Sequence, residues 1–188
     1  MWSGKPLPRL WFVTDAARVP DPELVIARLA PGSGVIFRDY DHPARKALAE
    51  TLAAACRAAG HLFLVAGDPV LAEAVGADGF HAPQWQLAAR DLRALKVACP
   101  HWVMTAACHD AEALRNAAAA GVDAALVSPV FPTRSHPGAA TLGAEGLRRL
   151  VAAAGLPVIA LGGIADDTVH MLQGLPIAGI AAIGALAA

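Results

Sequence analysis

Several residues able to do chemistry stand at the ends of short apolar runs, where a folded chain can gather them. Gly162-Gly163 follows Pro157–Leu161, and Gly184 follows Gly179–Ile183. Glycine lets backbone N–H groups approach a phosphate, and a following helix terminus adds favourable dipole charge. The blander use of the same pair is to turn the chain. Thr133, Arg134, Ser135 and His136 lie in a segment from Pro129 to about Ala144 that is rich in Pro and Gly. A loop of that length without periodicity tends to be a lid or a binding loop, and Arg134, Ser135 and His136 could together grip a phosphate or diphosphate. Arg38 ends the run Val35–Arg38. A buried guanidinium needs an anion, which here is Asp15, Asp39 or a ligand. His81 sits in Gly79–Ala82 as a candidate acid/base, or as a hydrogen-bonded wall residue. Gln84 and Thr105 stand at neighbouring run ends, and Asp68 follows His61–Val65 closely.

These positions form one site only if the runs are strands of one sheet. The full set is Leu10–Thr14, Val35–Arg38, His61–Val65, Gly79–Ala82, Trp102–Thr105, Ala124–Ser128, Pro157–Leu161 and Gly179–Ile183. They are nearly continuous apolar runs rather than alternating ones, as parallel strands covered on both faces require. Between them lie Ala- and Leu-rich segments with helical spacing: Pro22–Ala30, Pro43–Ala59, Pro69–Val75, Leu87–Val97, Asp110–Ala120, Ala144–Ala154 and Asp166–Gln173. Several end at a glycine, a helix stop. Gly76-Ala77-Asp78-Gly79-Phe80 and Gly121-Val122-Asp123-Ala124-Ala125 repeat one device, a glycine stop and an aspartate leading into a strand. The pattern predicts a single α/β domain over residues 1–188, a compact (β/α)8 TIM barrel whose last helix is truncated or missing. A doubly wound sheet is the alternative, but no Gly-x-Gly-x-x-Gly follows the first run.

Composition narrows the function. The 188 residues are 56% hydrophobic and 16% charged, with a formal charge of -1. No basic field recruits nucleic acid. No apolar stretch approaches the ~20 residues of a membrane span. The three cysteines show no metal spacing and no secretory signal precedes them, so we expect free thiols and a cytoplasmic protein. An absent last helix would leave apolar surface on the first and last strands, which points to a homodimer.

Four ordered motifs carry a family resemblance. They are Val13-Thr14-Asp15, Gly76-Ala77-Asp78-Gly79-Phe80-His81, Ser128-Pro129-Val130-Phe131-Pro132-Thr133 and Val158-Ile159-Ala160-Leu161-Gly162-Gly163-Ile164. Together they resemble the thiamine phosphate synthase family, which includes the TenI-like thiazole tautomerases, from Leu10 to Leu186. The resemblance implies a (β/α)8 barrel that joins a pyrimidine methyl diphosphate to a thiazole phosphate with Mg2+. Gly162 and Gly163 match the family's phosphate cradle and Thr133 its lid Thr, while Gly184 replaces a common Ser. The family's strand-two Gln-x-Arg-x-Lys reads Ile36-Phe37-Arg38-Asp39-Tyr40 here, and only the Arg is kept. The family's Asn-Asp metal pair falls on Ala66-Gly67, with Asp68 next to it, and the second metal Asp falls in Pro83-Gln84-Trp85-Gln86. The lid Lys falls on His136, and a Ser after strand five falls near Thr105. The tautomerases' catalytic His falls on Pro129, which would leave His136 or His81 to move a proton.

The thiazole-phosphate half of the pattern is kept and the diphosphate half is altered. The first reading is therefore a divergent thiamine phosphate synthase, a transferase whose catalytic group comprises His136, Arg38 and His81. The alternatives are a metal-free tautomerase or isomerase of a thiazole phosphate, and a non-catalytic barrel that binds a phosphate ester. On any of them Gly163→Val is expected to abolish ligand binding with a modest effect on folding.

Overall fold

A computed structural model describes residues 6–89, 91–133, 138 and 140–187. Arg134, Ser135 and His136 lie outside the described residues. The strands are β1 (Leu10–Val13), β2 (Gly34–Phe37), β3 (Leu62–Ala66), β4 (Gly79–Ala82), β5 (Val103–Cys108), β6 (Ala124–Val127), β7 (Val158–Leu161) and β8 (Gly179–Ala182). Each pairs in parallel with the next, and β1 pairs with β8 to close the barrel. The expected (β/α)8 barrel is thus what the chain forms. The apolar runs are continuous because the sheet is covered on both faces: Val35, Ile36, Phe37, Leu64 and Val65 are fully buried. Phe37 and Phe63 stack with ring centroids 6.2 Å apart. Burying one such side chain contributes about 1.5–3 kcal/mol.

The outer layer contains α1 (Pro22–Ile26), α2 (Arg45–Ala59), α3 (Pro69–Ala74), α4 (Gln84–Ala89), α5 (Leu92–Ala98), α6 (Ala111–Ala120) and α7 (Gly143–Ala153). Two departures from the sequence reading have local causes. The helix expected over Leu87–Val97 is two helices, because Asp91 caps α5 by accepting from Ala94 N at 2.9 Å. A capping carboxylate competes with a continuous helix for backbone N–H groups. The helix expected over Asp166–Gln173 is only a 3-10 turn, Val169–Leu172. There Thr168 Oγ1 accepts from Ala165 N at 2.9 Å and donates to Gly163 O at 2.8 Å, tying the backbone groups that an α-helix would use. Past β8 the chain makes a second 3-10 turn, Gly184–Leu186.

The repeated Gly-x-Asp device has a structural role. Asp78 Oδ2 accepts from Phe63 N at 2.9 Å, and Asp123 Oδ2 accepts from Met104 N at 2.7 Å. Each aspartate thus fastens its strand to the preceding one at the N-terminal end of the barrel. Lys96 Nζ adds a 2.5 Å ion pair to Asp123. A cavity of about 350 Å³ lined by Glu73, Asp78, His101 and Trp102 lies at this same end. That is where barrels of this kind keep stability rather than chemistry.

Candidate active site at the C-terminal mouth

The chemistry-bearing side chains sit at the opposite end, around β1 and β2. Thr14 Oγ1 donates to Asp39 Oδ2, and Ala16 N donates to Asp39 Oδ1 at 2.5 Å. Asp39 is therefore tied to the β1 loop. Arg38 turns to Asp15, with Nη2 to Oδ2 at 3.1 Å. Of the anions weighed for Arg38, the partner within the chain is Asp15. The pair stays about a quarter exposed, with side chains at 28% and 21%, so a ligand can still reach it. Thr14, Asp15, Arg38, Asp39, Tyr40 and His42 line a cavity of about 480 Å³.

His81 lies deeper, 4% exposed, with Nδ1 2.8 Å from Thr105 Oγ1. Thr105 is fully buried. Burial first, and then the positive charge of Arg38, push the His81 pKa down to about 3. The ring is neutral at pH 7 and makes a fixed polar contact in the wall. Gln84 staples two loops: its Oε1 accepts from His109 N at 2.7 Å and its Nε2 donates to Asp110 Oδ2 at 3.2 Å.

On the other side of the mouth, the lid lies directly on the glycine pair. Val130 N donates to Leu161 O at 3.0 Å and Phe131 N to Gly162 O at 2.9 Å. A β-carbon on Gly163 would stand 2.5 Å from Pro132 O, and its φ of +64° is in the left-handed region. The glycines are thus required by close lid contact as well as by any phosphate. This corrects the expectation that a side chain at Gly163 would spare folding. The helix dipole expected behind the cradle is also reduced, since the following element is a 3-10 turn of four residues. Thr133 is half-buried at the lid's edge.

Two residues the sequence reading left without a role belong here. Arg18 reaches from the β1 loop to Gly184: its Nη2 is 3.4 Å from where a Gly184 β-carbon would be. A guanidinium thus flanks the glycine at the end of β8. His109 Nδ1 lies 2.8 Å from Ser128 O. A carbonyl only accepts, so Nδ1 carries a proton, which in the neutral tautomer makes Nε2 the acceptor.

Comparisons with known proteins agree with this fold. Residues 10–186 match the family described as thiamine monophosphate synthase. The chain belongs to that family. It is 32% identical to a thiamine-phosphate synthase of Levilactobacillus brevis over 185 residues, covering 93% of this chain and 85% of that protein. It is 31% identical to a thiamine-phosphate synthase of Pyrococcus furiosus, covering 95% and 86%. A solved thiamine phosphate pyrophosphorylase from Pyrococcus furiosus superposes with a TM-score of 0.78 at 26% identity, over 97% of this chain and 88% of that one. Its function is thiamine phosphate synthase-like, within thiamine biosynthesis. No helix among the described residues is long and apolar enough to cross a membrane.

The family implies Mg2+, and the donors at the implied positions do not fit it. Mg2+ asks for about six oxygens in near-octahedral array. Ala66 and Gly67 offer no carboxylate, and the amide of Gln84 is engaged between loops. Asp68 caps α3 by accepting from Leu71 N at 2.9 Å and pairs with Arg45 at 3.4 Å. Among the described residues, no three His, Cys, Asp or Glu side chains come together in a metal-holding group.

Proposed function

We propose that the chain joins a pyrimidine methyl diphosphate to a thiazole phosphate at this mouth. The observation that carries the reading is the seating of Pro129–Pro132 on Gly162-Gly163, which brings two of the motifs shared with the family together at the mouth. Gly162, Gly163 and Gly184 take the thiazole phosphate, with Arg18 beside them supplying charge and Thr133 at the rim. Arg38 faces the diphosphate from the cavity at β1 and β2. Arg134, Ser135 and His136 are proposed to grip it. In the reaction the methylene C–O bond breaks with its electron pair leaving on diphosphate, and the thiazole nitrogen lone pair forms the new C–N bond. Exclusion of water matters because water would compete for the cationic carbon. We place the enzyme in the cytoplasm, with phosphorylated small molecules rather than nucleic acid as its partners and a homodimer as its assembly.

The test mixes purified protein with both substrates and detects thiamine phosphate by its fluorescence after oxidation. Product is expected. Its absence from folded protein overturns the reading.

One observation favours a second reading, proton transfer on a thiazole phosphate. His109 bonds through Nδ1 to Ser128 O, next to Pro129, the place in the chain where the tautomerases carry their catalytic His. An imidazole with a fixed tautomer is a competent general base. If this reading is right, His109→Asn slows deuterium uptake into a thiazole phosphate, followed by NMR in D2O, by about 100-fold. An unchanged rate removes His109 from the chemistry.

A further inference from the structure

The diphosphate side of the mouth carries a cation of its own. Arg45, the first residue of α2, turns back over the end of β3, and its side chain is 19% exposed. Its Nη2 donates to Ala66 O at 2.8 Å, and its guanidinium lies over the rings of Phe37 and Tyr40 at 5.6 and 5.7 Å. Ala66-Gly67 is where the family's synthases carry their Asn-Asp metal pair.

The departures around this spot depend on one another. Tyr40 stands in place of the family's Lys and packs on Gly67: a β-carbon there would be 2.9 Å from the ring, at a φ of +77°. A side chain at position 67 would have to push the Tyr40 ring aside and take a left-handed backbone, so the ring packs best on a glycine. The ring that packs where the family carries a metal carboxylate also helps hold the guanidinium. Gln86 closes the floor, donating from Nε2 to Gly67 O at 2.8 Å.

Two polar atoms are left over at the same strand ends. Arg45 Nε, a donor, and Gln86 Oε1, an acceptor, are both buried without a hydrogen-bond partner. Gln86 itself is only 3% exposed. A buried unpaired polar atom is costly and calls for a satisfying group. A planar guanidinium fixed over aromatic faces is shaped for phosphate oxygens. Arg38 and Arg45 are paired with Asp15 at 3.1 Å and Asp68 at 3.4 Å, and a guanidinium has no lone pair with which to ligate a divalent cation.

We infer that the Arg45 guanidinium takes the place of the divalent cation, so that the diphosphate group is held here without metal. This deepens the proposed function and rests on it. The experiment is isothermal calorimetry with inorganic diphosphate in EDTA and again in Mg2+, with thiazole phosphate titrated in parallel. Wild-type protein is expected to bind diphosphate in EDTA, with affinity changed less than about twofold by Mg2+. Arg45→Met should lose at least about tenfold for diphosphate while thiazole phosphate affinity stays within about twofold. Arg45→Lys, which keeps the charge and loses the fork, should recover part of the loss. Circular dichroism checks each fold, and if Arg45→Met fails to fold, Arg45→Lys and the wild-type EDTA titration decide. Diphosphate binding that requires Mg2+, or equal affinity in the Arg45 variants, overturns the inference. Absence of thiazole phosphate binding by wild-type protein overturns the proposed function instead and leaves the diphosphate titrations to be judged alone.

Discussion

Gly163→Val should abolish thiazole phosphate binding in calorimetry and lower the urea midpoint in the same protein. A β-carbon at this position meets Pro132 O at 2.5 Å and the Phe131 carbonyl carbon at 2.8 Å, both backbone atoms that cannot rotate away. The φ of +64° adds strain for any L side chain, of order 1–3 kcal/mol. The lid must lift or the β7 turn must unwind, and either movement opens the cradle. We expect a loss of about 3–5 kcal/mol in stability, since overpacking against backbone adds to the strain. Gly163→Ala gives the graded case, with the same direction and a smaller loss. Unchanged phosphate affinity in a folded Gly163→Ala protein would remove the pair from the binding site and leave it as a turn.

His81→Asn should flatten the acid limb of the stability curve. The folded-state pKa of His81 is about 3, against 6.5 unperturbed, so the unfolded chain takes the proton first as pH falls. Its contribution is fully present above about pH 6.5 and is lost as pH falls toward 3, to a ceiling of about 5 kcal/mol. Between pH 7 and 4.5 that is about 2–3 kcal/mol, read from urea unfolding at the two values. Asparagine can keep a polar contact to Thr105 without a titrating ring, so the variant should lose less between the two pH values. Parallel pH dependence in the two proteins would mean that His81 takes up its proton at the same pH folded and unfolded, which would return it to the candidates for proton transfer near neutral pH.

The barrel was legible because parallel strands buried on both faces leave continuous apolar runs, and β1 to β8 all fall within a residue or three of those runs. Helix limits were less legible where a side chain intervenes. Nothing in Leu87–Val97 announces that Asp91 will cap a new helix, and nothing in Asp166–Gln173 announces that Thr168 will bind Gly163 O. The glycines and the lid could be found because their spacing is local. Arg45 could not: beside Lys46 it reads as a solvated helix face, and its turn onto Phe37 and Tyr40 is a tertiary event. His109 stands next to a capping aspartate, and only the fold brings it to Ser128. The Arg38–Asp15 pair was one of three options, and choosing among them required knowing that Thr14 and Ala16 occupy Asp39.

The aspartate staples at the N-terminal end have a bearing on how freely this scaffold can be rewritten. Asp78 and Asp123 join neighbouring strands at the end remote from the mouth, through contacts that involve no residue of the site. Closure of the barrel and choice of ligand therefore draw on separate parts of the sequence. A library randomised at Tyr40, Gln84 and His109 would explore new substrates while the staples hold the barrel shut. The same library at Gly162 and Gly163 would not, because there the ligand cradle and the chain packing are one set of atoms.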